Sequence, residues 1–145
     1  MELFTCIIPP EEVIAALAEG DEHCFDPAKF VSAVARQDAA ALEKFFLPDA
    51  IIRWHDSNEE FTVPEYIRAN CEYPGAWGGQ LQRVEATDSG VAMVTKIFSD
   101  EMTVLVTAFV TLTGGKISLL DEYYCDYNDD TPQWRKDMKI GRAIT

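Results

Sequence analysis

The residues best equipped for chemistry crowd into "KISLLDEYYCDYNDD", residues 116 to 130, where Asp121, Glu122 and Asp126 stand among Tyr123, Tyr124 and Tyr127. A carboxyl beside a phenol can move a proton and steady a developing oxyanion. For that, water must be kept off the carboxyl so that its pKa climbs toward neutrality. Alternate side chains of a strand share a face. Ser118, Leu120, Glu122, Tyr124 and Asp126 therefore fall on one side, and Ile117, Leu119, Asp121, Tyr123 and Cys125 on the other. Only one of the two central acids can face an interior. The acids beyond Cys125 read as a solvated turn, since "DYNDDTP" lacks the spacing and closing glutamate of a calcium loop.

The other chemically able groups are scattered. Trp54 and His55 are neighbours in a strand-like run, so they point to opposite faces, and a cavity that receives Trp54 does not receive His55. His23 lies between two helical segments, where capping or solvent contact is the simpler role. In "YPGAWGGQ", Tyr73 and Trp77 sit on a glycine-rich bend, where large amphipathic rings can close over an organic ligand or simply pack the loop down. Tyr66 is either a hydroxyl offered to a ligand or a core residue. Two distant histidines and four dispersed cysteines (Cys6, Cys24, Cys71, Cys125) match no metal-ligand spacing, so neither a metal nor a cofactor is expected.

The chain that must position these groups has 145 residues, 48% of them apolar and 11% aromatic. That is enough for one domain burying roughly two-thirds of its unfolded surface. Twenty-five acidic against twelve basic side chains leave a formal charge of −13, a field that repels phosphate backbones and anionic lipid heads. Nucleic-acid and membrane partners are therefore not expected. No apolar run reaches the ~18 residues of a membrane span. "MELFTCIIPPEE" has no basic lead-in of a secretory signal, so a cytoplasmic location with reduced thiols is the expectation.

Start and stop signals divide the chain into helices followed by strands. "PPEEVIAALAEG" reads as a first helix opened by Pro10 and closed by Gly20. "FDPAKFVSAVARQ" follows with Asp26 as cap, Pro27 in the first turn, and Phe30, Val31 and Val34 on one face. Asp38 caps "AAALEKFF", whose stripe of Leu42, Phe45 and Phe46 ends before Pro48. "AIIRWHDSNEEFT" predicts a strand, a turn at Asp56–Asn58 and a return strand. Thr62 and Glu65 have the spacing of a capping box for "VPEYIRANCEY". From residue 80 the runs "QLQRVEAT", "VAMVTKIFS", "MTVLVTAFVTLT" and "KISLLDEYYCDY" are strands separated by "DSG", "DE" and "GG", which predicts a sequential antiparallel meander. Helices first and then one sheet is an α+β pattern, with the cavity between the two layers. The basic tail "QWRKDMKIGR" is expected to lie across acidic strand ends.

The segments "ARQDAAALEKFFLPDAIIRW", "EEFTVPEYI", "EYPGAW", "GGKISLLDEYYCD" and the late "QWR" and "IGR" together resemble the SnoaL-like (polyketide cyclase-like) branch of the nuclear transport factor two-like superfamily. The resemblance covers roughly residues 27–142, leaving 1–26 as a helical extension of a single domain. It implies a cone-shaped α+β barrel with N-terminal helices packed on a strongly curved mixed or antiparallel sheet, forming a homodimer. It also implies that the Glu122 face of the last strand lines the pocket. Where ketosteroid isomerase relatives carry a tyrosine and two aspartates, counting from shared landmarks gives Phe30, Trp54 and Thr107. None of these can do that proton chemistry. Where polyketide cyclase relatives carry an acid after "GKI", the match is Glu122.

Two functions follow. In the first, Glu122 and Tyr124 are catalytic in a cofactor-independent cyclisation, isomerisation or dehydration of a small apolar carbonyl compound. The pocket is then shaped by Trp54, Phe30, Tyr66, Tyr73, Trp77, Thr107, Phe109 and Leu120. In the second, the same pocket binds a small organic ligand without catalysis, or the domain serves dimerisation, and Glu122 pairs with an arginine such as Arg53 or Arg135.

Overall fold

The structure, a computed structural model, describes residues 24–128 and 130–144. The expected helix at 10–20, Cys6, His23 and nearly all of the expected 1–26 extension lie outside the described residues. Helix α1 (Pro27–Arg36) starts as its sequence dictates, with the Asp26 carboxylate accepting from the Lys29 N–H at 3.2 Å and proline in the first turn. It stops where Gln37 turns left-handed (φ 54°). Helix α2 (Ala39–Glu43) is capped by Asp38, which accepts from Ala41 N–H at 3.0 Å.

Strands β1 (Phe46–Trp54) and β2 (Glu59–Thr62) form the expected hairpin. The α2 stripe therefore belongs to two elements, because the helix ends at Glu43 and Phe46 already opens β1, ahead of Pro48. Thr62 and Glu65 close a complete capping box on α3 (Val63–Cys71). Strands β3 (Gly78–Thr87), β4 (Gly90–Phe98), β5 (Thr103–Thr113) and β6 (Lys116–Asp126) follow.

The six strands make one sheet in the order β2-β1-β6-β5-β4-β3. The last four pair antiparallel in sequence, as the turn spacing predicts. The sheet becomes mixed at one place only, where β1 runs parallel to β6. α1 packs on β3 and β4, while α3 packs on β1 and β2. Between helices and sheet lies a core of Phe25, Phe30, Val31, Leu42, Phe46, Ile52, Tyr66, Ile117 and Leu120 among others. Phe30 stands at its aromatic centre, with rings of Phe25, Phe45 and Phe46 at 5.3–6.1 Å, mostly edge to face.

Strand register then decides which residues see this interior. On β5 the inward set is Val106, Ala108 and Val110, all buried, whereas Phe109 is 47% exposed. Cross-strand pairing joins Thr107 to Tyr123 and Phe109 to Asp121 on the outer face. The expected pocket roles of Thr107 and Phe109 are therefore corrected. "VLVTAFVTL" is apolar at both parities, so its composition cannot choose a face, and Ala108 is the residue opposite Glu122. On β6, Ser118 is the extra residue of a bulge, since Thr111 pairs Leu119 and Leu112 pairs Ile117. The bulge turns both Ile117 and Leu120 inward, which simple alternation forbids.

Beyond β6, helix α4 (Gln133–Met138) buries no side chain, and its Lys136 pairs with Asp130 of the same tail. The expected strap across the strand ends is not formed among the described residues. No helix in the described residues is long and apolar enough to cross a membrane.

Gly90 allows a close backbone approach in the sheet, because a Cβ there would overlap the Val110 carbonyl oxygen. Gly90→Ala is therefore expected to lower unfolding free energy by about 2 kcal/mol. Urea denaturation that finds the variant within about 0.5 kcal/mol of the parent would contradict this placement.

Candidate active site

Glu122 is the only buried carboxylate of the described core, at 4% exposure. Its place follows from pairing, with Trp54 of β1 beside it on one side and Ala108 of β5 on the other. The indole N–H of Trp54 donates to Glu122 Oε1 at 3.0 Å, and the Tyr124 phenol approaches the same carboxyl and favours its charged form. No cation among the described residues pairs with it. Arg53 is paired with Glu60, and Arg135 lies over the Trp134 ring, so neither arginine partner weighed from the sequence is used.

Burial pushes the Glu122 pKa up to about 7, against the lowering effect of the Trp54 hydrogen bond and the Tyr124 phenol and with a further upward push from the Asp56 charge. Tyr124 and Tyr66 are both held well above the ordinary tyrosine value, first by burial and next by Glu122. They are therefore neutral hydroxyls. The result is a proton carrier poised near neutrality, touching a phenol that keeps its own proton.

Two cavities meet the Glu122–Tyr124 pair, one at both residues and one at Tyr124 alone. The smaller, about 20 Å³, is lined by Glu122, Tyr124, Phe30, Val31, Thr95, Val106 and Ala108 among others, and has room for about one water molecule. The larger, about 390 Å³, lies toward the surface and is of ligand size. Trp54 and Tyr124 form one wall, with rings 5.5 Å apart. Tyr73 and Trp77 form another, with rings 5.6 Å apart. Tyr124, Val34 and Ile97 line both. Glu122 does not line the larger cavity, whereas Tyr124 beside it lines both.

The bend carrying Tyr73 and Trp77 is held in place rather than draped. The Gln37 amide donates to the Asn70 and Tyr73 carbonyls at 2.8 and 2.6 Å, which is what the left-handed turn at Gln37 achieves. The Trp77 N–H closes back on the Pro74 carbonyl at 3.0 Å, with its indole against Gly75 (φ 112°).

Of the residues proposed from sequence, Trp54, Tyr73, Trp77 and Tyr124 meet at the larger cavity, and Phe30, Glu122 and Tyr124 at the smaller. Leu120 and Tyr66 are fully buried core residues that line neither; Tyr66 backs Trp54 with rings 6.3 Å apart. His55 is on the outer face, as parity requires, with Nε2 at 2.6 Å from Asp121 and its ring stacked 4.4 Å over Tyr123. Sequence reasoning missed Asp56, Glu59, Asp126, Asn70 and Met102 as lining residues. Asp126 shares the Glu122 parity, but the acid-rich run after Cys125 has the composition of a solvated turn. Asp126 ends β6 instead. Asp56 and Glu59 were legible only as hairpin formers.

The helices-then-mixed-sheet order, with β1 parallel to the last strand and a cavity between the layers, decides the fold. It is nuclear transport factor two-like. The nuclear transport factor two-like protein of unknown function from Burkholderia xenovorans superposes with a TM-score of 0.68 at 18% identity, covering 93% of this chain and 98% of its own. A proposed ketosteroid isomerase from Kribbella flavida gives 0.68 at 18% identity, covering 92% of each chain. An epoxide hydrolase from M. tuberculosis gives 0.54 at 13% identity, over 67% of this chain and 77% of its own. No protein-family model and no curated protein matches the sequence. At such identities a nuclear transport factor two-like scaffold is what the proteins share, and activity must come from the side chains in the cavity.

The ionisation of Glu122 has a direct consequence for stability. Its folded pKa of about 7 lies above the ordinary 4.5, so the folded state holds this proton more tightly than the unfolded state. The resulting stabilisation is full below pH 4.5 and is lost as pH rises through about 7. Glu122→Gln mimics the protonated form and removes that loss. The variant should match the parent near pH 4.5 and exceed it by about 3 kcal/mol near pH 8. Parallel stability curves for the two proteins across this range would refute a titrating buried carboxyl.

Proposed function

We propose that this chain is a cofactor-independent enzyme of the SnoaL-like, polyketide cyclase-like kind, moving a proton on a small carbonyl compound held in the larger cavity. The observation that carries this reading is a buried carboxyl with no cationic partner, pKa near 7, joined to the cavity by a neutral tyrosine. In the reaction the Tyr124 hydroxyl takes the proton released from the carbon acid as it passes its own proton to the Glu122 carboxylate. Glu122, as the carboxylic acid, then returns that proton at another atom by the same relay. Reach is supplied by movement of the proton along the Glu122–Tyr124 contact or through one water in the small void. Trp54 does not react; its N–H fixes the carboxyl's orientation.

A second reading, a noncatalytic ligand-binding module, draws support from one observation. Trp54 and Tyr124 both engage Glu122 and stand between it and the larger cavity. Hydrogen–deuterium exchange separates the two. Small enolisable ketones incubated with the protein in deuterated buffer should exchange their α-protons at a rate rising through about pH 7. Glu122→Gln should abolish this and Tyr124→Phe should reduce it at least tenfold. Ketones that bind without exchanging, or exchange equally fast with Glu122→Gln, would assign the pocket to binding alone.

We further propose that two copies associate through the outer sheet face. Phe109 and Tyr123 stand there, 47% and 46% exposed with rings 6.1 Å apart, flanked by the His55–Asp121 pair. Phe109→Glu should convert a dimer to monomer in analytical ultracentrifugation, and a parent protein that sediments as a monomer would dispose of the idea.

A further inference from the structure

Resting on the reading of the larger cavity as a ligand site, we infer that its ligand carries a positive charge: a small organic ammonium with apolar substituents. The rings of Trp54, Tyr73, Trp77 and Tyr124 form its aromatic walls, and the electron-rich face of such a ring attracts a cation. Indole and phenol are the aromatic groups that do this best, and tetraalkylammonium ions lose little hydration on entering such a cage.

Charge around the walls has one sign. Asp56, Glu59 and Asp126 line the cavity, and none of them makes an ion pair among the described residues. Their hydrogen bonds come from neutral donors, the Ser57 hydroxyl to Glu59 at 2.7 Å and the Tyr124 N–H to Asp56 at 3.4 Å. All twelve lysines and arginines of the chain fall within the described residues, and none lines the cavity. A carboxylate or phosphate ligand would therefore meet three like charges and no counter-ion.

A bare metal ion fits no better. No three metal-ligating side chains among the described residues converge on one point. Spread carboxylates around apolar rings suit a diffuse cation whose alkyl groups fill the space and whose charge is felt at several ångströms. Val34, Ile97 and Met102 supply surface for those alkyl groups.

The test uses three probes of nearly one shape: choline, its uncharged carbon isostere 3,3-dimethylbutan-1-ol, and the anion 3,3-dimethylbutanoate. Calorimetric titration of the full chain at low salt should place choline at least about tenfold tighter than the alcohol, and the anion weakest. The triple variant Asp56→Asn, Glu59→Gln, Asp126→Asn should lose most of that preference while binding the alcohol within about twofold of the parent. If the triple variant does not fold by circular dichroism, roughly 1 M salt on the parent serves instead, since screening then acts over about 3 Å. Choline preference should shrink there as well. An alcohol that binds as tightly as choline overturns the charge inference and leaves the pocket reading standing. A preference that survives in the folded triple variant also overturns it. Failure of all three probes to bind overturns the pocket reading together with the inference.

Discussion

A carboxyl group without a counter-charge, shut inside an aromatic and aliphatic core, is the constraint around which this molecule is arranged. A lone ionised carboxylate at Glu122's depth would be expensive, and the chain does not offset that with an arginine. It offers two neutral donors, the Trp54 indole and the Tyr124 phenol, and lets the proton return near neutral pH. Every buried side-chain nitrogen and oxygen among the described residues finds a partner, so Glu122 is accommodated rather than tolerated as a defect. Because those donors favour the charged form while burial favours the neutral one, the two forms are nearly balanced.

That balance distinguishes this interior from the isomerase pattern it resembles. Phe30 is a core ring, Trp54 is a donor and a wall, and Thr107 faces outward, so these three positions offer no counterpart of a tyrosine and paired aspartates. The buried carboxyl of the described core stands instead on the last strand. There, Glu122 faces the deep void and Tyr124 spans both spaces, while Asp126 reaches the outer cavity. Three inward residues of one strand thus run from a nearly neutral acid to an exposed anion, a gradient of hydration along about 13 Å of backbone.

The sequence made the local elements legible because their signals are local. Asp26, Asp38 and the Thr62–Glu65 box each specify a helix start through a hydrogen bond three residues long. Parity grouped Glu122 with Tyr124 correctly because no bulge interrupts β6 between Leu120 and Asp126, and the family resemblance supplied which of the two faces is inward. Alternation failed just before, at Ser118, where one extra residue resets it. On β5 nothing in an apolar run distinguishes inside from outside until it is paired, so Thr107 and Phe109 were placed one residue out of phase. The acids of the cavity mouth escaped notice for a different reason. Turn-forming aspartates look alike whether they face water or a pocket, and only the folding of β1, β2 and β6 onto one another tells them apart.

The parallel pairing of β1 with β6 has a consequence for how the protein is made. Trp54 and Glu122 are neighbours in space but 68 residues apart in the chain, and the ladder joining them is the one that no hairpin can nucleate. A partly folded chain can hold the whole β3–β6 meander and still lack the Trp54 wall and the indole donor to the buried acid. Closing that long loop is the entropically costly step, and the site comes into being with it. The candidate site is tied to complete folding: a fragment that ends before the last strand lacks Glu122, Tyr124 and Asp126 together.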